Sequence, residues 1–126
     1  MKEIREGNLV GARYNALLKS AIISETDING NILLVNDEFV KSFGYSKKEI
    51  IGKNHRLLNS KKHTSEFFKD LYDTISKGKI WRGIIEDITK DGDEIWLDTS
   101  IIPILNNKNK PIRYLSVRFD VTRFMK

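Results

Sequence analysis

The sequence predicts an α+β domain in which a five-stranded antiparallel sheet carries short helices on one face, with a further helix flanking it at the N-terminus. Three observations predict it. Apolar, β-branched runs fall into two groups, two before and three after a block of helical spacing, and strands segregated from helices in this way belong to α+β folds. Asn29-Gly30 and Asp91-Gly92 each stand between two such runs, and these dipeptides accept the left-handed backbone of tight hairpins. The chain has 126 residues, 40% of them apolar and 31% charged, which suffices for one core and leaves no room for a second domain.

Residues 2–18 place Ile4, Leu9, Val10, Tyr14, Leu17 and Leu18 at spacings compatible with an amphipathic helix, interrupted by Gly7 and Gly11. Residues 21–26 and 31–35 read as paired strands around a turn at 27–30. Asn36 or Asp37 can cap a short helix that carries Phe39, Val40 and Phe43 and stops at Gly44. In Ser46-Lys47-Lys48-Glu49 the serine oxygen can take the amide three residues on while Glu49 reaches back, so a second short helix follows and ends at Gly52. Residues 53–63 show no period and are predicted irregular or a single turn. A longer helix over 65–76 lines up Phe68, Leu71, Tyr72 and Ile75 on one face, with Gly78 as its stop. Residues 80–88, 94–104 and 111–121 are the last three strands, joined by the turn Lys90-Asp91-Gly92 and a polar loop at 106–110.

Composition removes several chemistries. With no cysteine, disulfides, thiolate metal sites, thiol nucleophiles and cysteinyl adducts are all unavailable. No apolar run approaches the roughly 20 residues of a membrane span, and the first residues do not form a signal peptide, so a cytoplasmic protein without membrane insertion is expected. The net charge of +5 comes from lysines scattered as Lys47-Lys48, Lys61-Lys62, Lys108 and Lys110 without interleaved aromatics, and no nucleic-acid partner is expected. There is no nucleophile elbow, no phosphate-cradling glycine loop and no histidine pair at metal spacing. Glu86 and Asp87 alternate to opposite faces of a strand and do not form a catalytic pair, so an enzyme is not expected.

Six segments in a fixed order carry a resemblance. They are Ser24-Glu25-Thr26-Asp27 through Gly30, Val35-Asn36-Asp37-Glu38-Phe39, Phe43-Gly44-Tyr45-Ser46 with Glu49-Ile50-Ile51-Gly52, residues 52–60, Trp81-Arg82-Gly83 with Lys90-Asp91-Gly92 and Pro103, and Asp120-Val121-Thr122. Over residues 16–123 the chain resembles a PAS domain. The resemblance implies a flanking helix at 1–17, a sensor domain at 18–123 and the start of a linker at 124–126. It implies a small molecule or cofactor held in a cup between sheet and helices. It also implies a homodimer through the outer sheet face and N-terminal helix. An output domain, attached or a partner, is expected too: a histidine kinase of a two-component system, a cyclic-dinucleotide enzyme or a chemoreceptor. Asp120 and Thr122, where the last strand exits, are the residues expected to pass the signal on.

Flavin-binding light sensors of this superfamily carry Asn-Cys-Arg-Phe-Leu-Gln where this chain has Asn54-His55-Arg56-Leu57-Leu58-Asn59. The missing thiol excludes an FMN photoadduct, while Asn54 and Arg56 keep polar contacts to a ligand within reach. Asp87 and Leu97 fall where those sensors place two asparagines, and Arg118 where they place a glutamine. Trp81 resembles a tryptophan of FAD-binding sensors, which keeps FAD in view. Haem would require an axial ligand from His55 or His63 and is less favoured. The expected ligand-binding set is therefore Asn54, His55, Arg56, Leu58, Trp81, Ile85, Asp87, Leu97, Thr99 and Arg118. The alternative is a ligand-free interaction module whose cup is filled by Leu57, Leu58, Phe67, Phe68 and Ile85. The two differ in whether any volume remains inside.

Overall fold

Along the strand Glu94–Leu105 the side chains of Ile95, Leu97, Thr99 and Ile101 are buried while those of Glu94 and Asp98 are exposed. A period of two with one buried face is the pattern of a sheet that packs against something on one side only. In the computed structural model, which describes residues 6–125 and their side chains from residue 11 onward, that something is a layer of short helices. The element order is α1 (Glu6–Ser20), β1 (Ile22–Asp27), β2 (Ile32–Val35), α2 (Asp37–Phe43), α3 (Lys47–Ile50), a 3₁₀ turn (His55–Leu58), α4 (Ser65–Ser76), β3 (Trp81–Ile88), β4 (Glu94–Leu105) and β5 (Pro111–Asp120). A second 3₁₀ turn, Thr122–Phe124, follows β5. Residues 1–5 of the predicted N-terminal helix, Ile4 among them, lie outside the described residues.

The five strands form one antiparallel sheet in the order β2-β1-β5-β4-β3. The first and last strands of the domain are thus central neighbours, with Ile22 opposite Arg118 and Thr26 opposite Tyr114. A bulge between Glu25 and Thr26 bends the β1–β2 pair.

The helix ends are set by local chemistry. Asn36 accepts the amide of Phe39 at the start of α2, and Gly44 ends it in the left-handed region at φ 83°. The Ser46–Glu49 box opens α3 with both reciprocal hydrogen bonds in place. Thr64 caps α4 through the amide of Phe67.

Asn36 does more than cap. Its Oδ1 accepts from the amides of Ile23 and Phe39, each at 3.0 Å, and its Nδ2 donates to the carbonyls of Leu18 and Ala21 at 2.8 and 2.7 Å. At 6% exposure, all of its hydrogen-bonding capacity is spent on joining the end of α1, the start of β1 and the start of α2.

Packing divides into two clusters under different helices. Ile22, Ile32, Val35, Phe39, Phe43, Ile50, Leu58, Ile95 and Leu97 form one beneath α2 and α3. Leu71, Ile75, Trp81, Ile85 and Ile101 form the other beneath α4, with Phe67, Phe68 and Tyr114 against it. Gly83 makes the second cluster possible, because a Cβ there would lie 2.5 Å from the Trp81 indole. The Trp-x-Gly spacing is thus a packing device: residues two apart share a strand face, and the glycine leaves the indole room to lie down.

The outer edge of β3 is covered by the segment 59–63. Ser60 donates to the carbonyl of Glu86, and Nε2 of His63 accepts its amide at 2.8 Å. A strand edge that would otherwise offer unpaired groups is closed by side chains. Glu86 itself is buried on the outer face of the sheet and is balanced by Lys62, 3.3 Å away.

A polar cup between the two packing clusters

Where the two clusters meet, the inward positions of the central strands are Thr26, Thr99, Ser116 and Arg118 rather than large apolar side chains. Small hydroxyl residues do not fill the span between sheet and helices. A cavity of about 250 Å³ remains, walled by these residues and by Ile85, Asp87, Ile101 and Tyr114 from the sheet and Phe68, Leu71, Tyr72 and Ile75 from α4. His55, Arg56, Leu58 and Asn59 border it from the 3₁₀ turn, and Ile28 and Gly30 from the β1–β2 turn.

Of the ten residues predicted to bind, seven line this cavity: His55, Arg56, Leu58, Ile85, Asp87, Thr99 and Arg118. The other three are placed elsewhere by identifiable contacts. Asn54 is absorbed by the backbone: its Nδ2 donates to the Asn29 carbonyl and to Asn31, and its Oδ1 accepts from the amide and Nε of Arg56. Trp81 lies over Gly83, edge-on to Phe67, and donates to Asp70 on α4. Leu97 belongs to the cluster under α2 and α3. Of the side chains named as possible fillers, Leu57 is 37% exposed and does not line the cavity, and Phe67 packs on Trp81 and His63. Ser116, Thr26, Tyr72 and Tyr114 were missed. The signal for Ser116 and Tyr114 was present, since both alternate in phase with Arg118 along β5.

The electrostatics of the cup rest on three groups. Arg118 is 6% exposed, its Nη1 has no hydrogen-bond partner, and its guanidinium carbon lies 5.8 Å from the Phe39 ring centre and 6.0 Å from that of Phe43. Asp87 is 8% exposed; burial pushes its carboxyl up to about 6, against the opposing pull of Arg118. Burial and the charges of Arg118 and Arg56 push the His55 imidazole down to about 4, so it is neutral at neutral pH. Its Nε2 lies 3.0 Å from the Tyr72 hydroxyl, and its ring packs against Gly30, whose φ of 86° and missing side chain allow the approach.

At the other end of the sheet, Asp120 accepts the amide and hydroxyl of Thr122, and that hydroxyl accepts the amide of Trp96 on β4 at 2.9 Å. The Asp-Val-Thr run thus pins the end of β5 to β4. No helix among the described residues is long and apolar enough to cross a membrane.

A single sheet roofed by short helices, with a polar cavity held between them, defines a class of small cup-shaped α+β domains. The chain belongs to the PAS domain family, whose profile matches residues 19–123. It is 31% identical over 103 residues to the nitrogen fixation regulatory protein of Klebsiella oxytoca, covering 82% of this chain and 21% of that protein. It is 30% identical to the aerotaxis receptor of Escherichia coli K12, covering 82% of this chain and 20% of the receptor. The chain therefore spans about a fifth of the length of these relatives. The fold agrees with the PAS domain of a Colwellia psychrerythraea protein at a TM-score of 0.81 and 24% identity, covering 91% of this chain and 98% of that one. It also matches an RNA-binding light-oxygen-voltage receptor at 0.82 and 21%, covering 99% and 36%. The domain is a sensory, signal-transducing module.

Proposed function

We propose that the domain senses by binding a small molecule or cofactor in its cup, and passes occupancy through β5 and the Asp120–Thr122 junction to an output domain, attached or in a partner. The supporting observation is the cavity itself: about 250 Å³ is left between sheet and helices, beside a buried guanidinium whose Nη1 has no hydrogen-bond partner among the described residues. This volume lies just below the roughly 300–1,000 Å³ of pockets for drug-sized ligands, which favours a compact ligand or the ring portion of a larger one. A ligand shifts the sheet between states only through different affinity for them, and Arg118 and Ser116, on the strand that leads to the exit, are the contacts able to supply the difference.

Among coloured cofactors a flavin fits the donor set better than haem. Asp87, Arg118 and the hydroxyls of Thr99 and Ser116 offer hydrogen-bonding groups to the polar edge of a heterocycle, and a structural neighbour is a light-oxygen-voltage domain studied with a flavin analogue. When bound, a flavin supplies redox sensitivity. Both histidines have Nε2 engaged, His55 with Tyr72 and His63 with the amide of Glu86, which leaves neither free as an axial ligand through that nitrogen.

A homodimer through the outer sheet face and α1 belongs to the same proposal. Ile84 and Phe119 flank Asp98 in one cross-strand row of that face, both exposed, and Tyr14 and Leu17 are exposed on α1. A cytoplasmic location and an output such as a histidine kinase, a cyclic-dinucleotide enzyme or a chemoreceptor complete it.

The test is a visible absorption spectrum of the purified protein together with native mass spectrometry. A retained small molecule, coloured or not, supports the sensor. A protein that carries none and binds none from a metabolite library supports the interaction module instead.

A further inference from the structure

The cavity holds a buried cation, Arg118, with a donor that has no hydrogen-bond partner among the described residues. The guanidinium of Arg118 is nearly sealed from solvent, and its Nη1 makes no hydrogen bond. Asp87 acts on it through the field, without a direct bond. An arginine buried in this way is costly unless something accepts its N–H groups, because five donors and a full charge have left water. Its flanks are already occupied, with the Phe39 and Phe43 rings near the guanidinium. On the cavity side of the residue, Ser116 stands two residues earlier on the same face of β5 and Thr99 directly across on β4.

From this geometry we infer that the cup selects a compact monocarboxylate with an apolar body, its carboxylate seated on Arg118 and Ser116 and its body against α4. The inference rests on the cup being a ligand site. Charge sets the valence. Arg118 is the buried cation, His55 is neutral at neutral pH, Arg56 is exposed at the border, and Asp87, on the same sheet two strands away, contributes a carboxyl that burial pushes up to about 6. With Asp87 ionised the cup is already neutral, so a bound carboxylate is matched by Arg118 as Asp87 takes up a proton; a phosphate dianion would leave a further charge with no second buried cation to offset it. Shape sets the rest. Leu71, Ile75, Ile85 and Ile101 line the remaining wall with Phe68 and Tyr72, which suits an aryl or branched alkyl group. Thr99 donates its hydroxyl to the Leu97 carbonyl and so offers the ligand only lone pairs, leaving anion recognition to Arg118 and Ser116.

The experiment compares acids with their uncharged amides on the full chain. Phenylacetate, benzoate and isovalerate, and the three corresponding amides, are titrated by calorimetry and by thermal denaturation. At least one acid is expected to bind about tenfold or more tighter than its amide, the difference a charge-assisted pair makes. Arg118→Gln is expected to erase that preference. The comparison on the unmutated chain decides the matter even if the variant does not fold. Equal binding of acid and amide, or preference for the amide, overturns the carboxylate while the cup stands as a small-molecule site. Binding of none overturns the carboxylate as well, and native mass spectrometry then separates a cup filled by a retained cofactor from a cup that binds nothing.

Discussion

Nε2 of His55 lies 3.0 Å from the phenolic oxygen of Tyr72, so a single hydrogen bond ties the 3₁₀ turn to α4 beside the cup. Both side chains line the cavity and both are partly accessible. Tyr72→Phe removes the bond and keeps the ring, costing about 1 kcal/mol of stability. Hydrogen exchange at residues 55–58 should accelerate in the variant while exchange in β4 and β5 stays unchanged.

Asp87 and His55 give opposite slopes to stability against pH. The folded-state value of His55 is depressed from 6.5 to about 4, so the folded protein binds fewer protons in that window and stability falls as pH drops from 6.5 towards 4. Asp87 is raised from 3.8 to about 6, so the folded protein binds more protons there and stability falls as pH rises through the same region. The two largely cancel. Asp87→Asn should expose the histidine slope, losing roughly 3 kcal/mol on acidification, since each tenfold change in proton affinity is worth about 1.4 kcal/mol, and His55→Gln should expose the reverse slope. Urea unfolding of both variants and the parent across this range reads the difference; carboxylates such as Glu49 contribute equally to all three and subtract out.

Asn36→Leu should be among the most damaging changes in the chain. It deletes four hydrogen bonds and strands two buried amides and two carbonyls where α1, β1 and α2 meet. A loss of about 3 kcal/mol or more is expected, since each orphaned buried group costs roughly 1–3 kcal/mol. Chemical denaturation measures it, and a loss under about 1 kcal/mol would mean that α1 is not held by this residue.

Gly83→Ala places a methyl group 2.5 Å from the Trp81 indole, and overpacking of this kind costs about 1–3 kcal/mol. The pair Trp81→Leu with Gly83→Ala should recover part of that loss, because the smaller side chain vacates the space. Non-additivity in the double-mutant cycle is the measurement.

Replacing the two cup charges together, Arg118→Met with Asp87→Leu, should stabilise the unliganded protein by about 1–3 kcal/mol, as apolar residues often do in place of buried charges. The same variant should lose the preference for acids over amides. Thermal melts with and without phenylacetate show both effects in one experiment.

Secondary structure was legible wherever its cause is local. The Ser46–Glu49 box, the Gly44 and Gly78 stops and the Asp91-Gly92 turn act within four residues of themselves, and α4 begins and ends where the spacing predicts. Arg118 was placed in the cup by the resemblance to flavin sensors rather than by spacing, and it is buried there. The contacts of Asn54 and Trp81 were not legible, because both are consumed by residues distant in the chain: Asn29 at the β1–β2 turn and Asp70 on α4. Nor could an alternating pattern distinguish Leu97, which fills a core, from Thr99, which borders a cavity, since both face inward.

By itself the sequence determined the element order, the faces of the strands, the absence of thiol chemistry and the family resemblance, all of which depend on residue type and short-range spacing. Tertiary structure alone decided that β1 and β5 are neighbours, that the helices settle over two separate clusters, and that Nη1 of Arg118 has no hydrogen-bond partner among the described residues beside the gap between them. The physical reason is that a cavity is a deficit of volume among many distant side chains, and an unpaired charge is the lack of a neighbour; neither is carried by any one residue or its near surroundings in the chain.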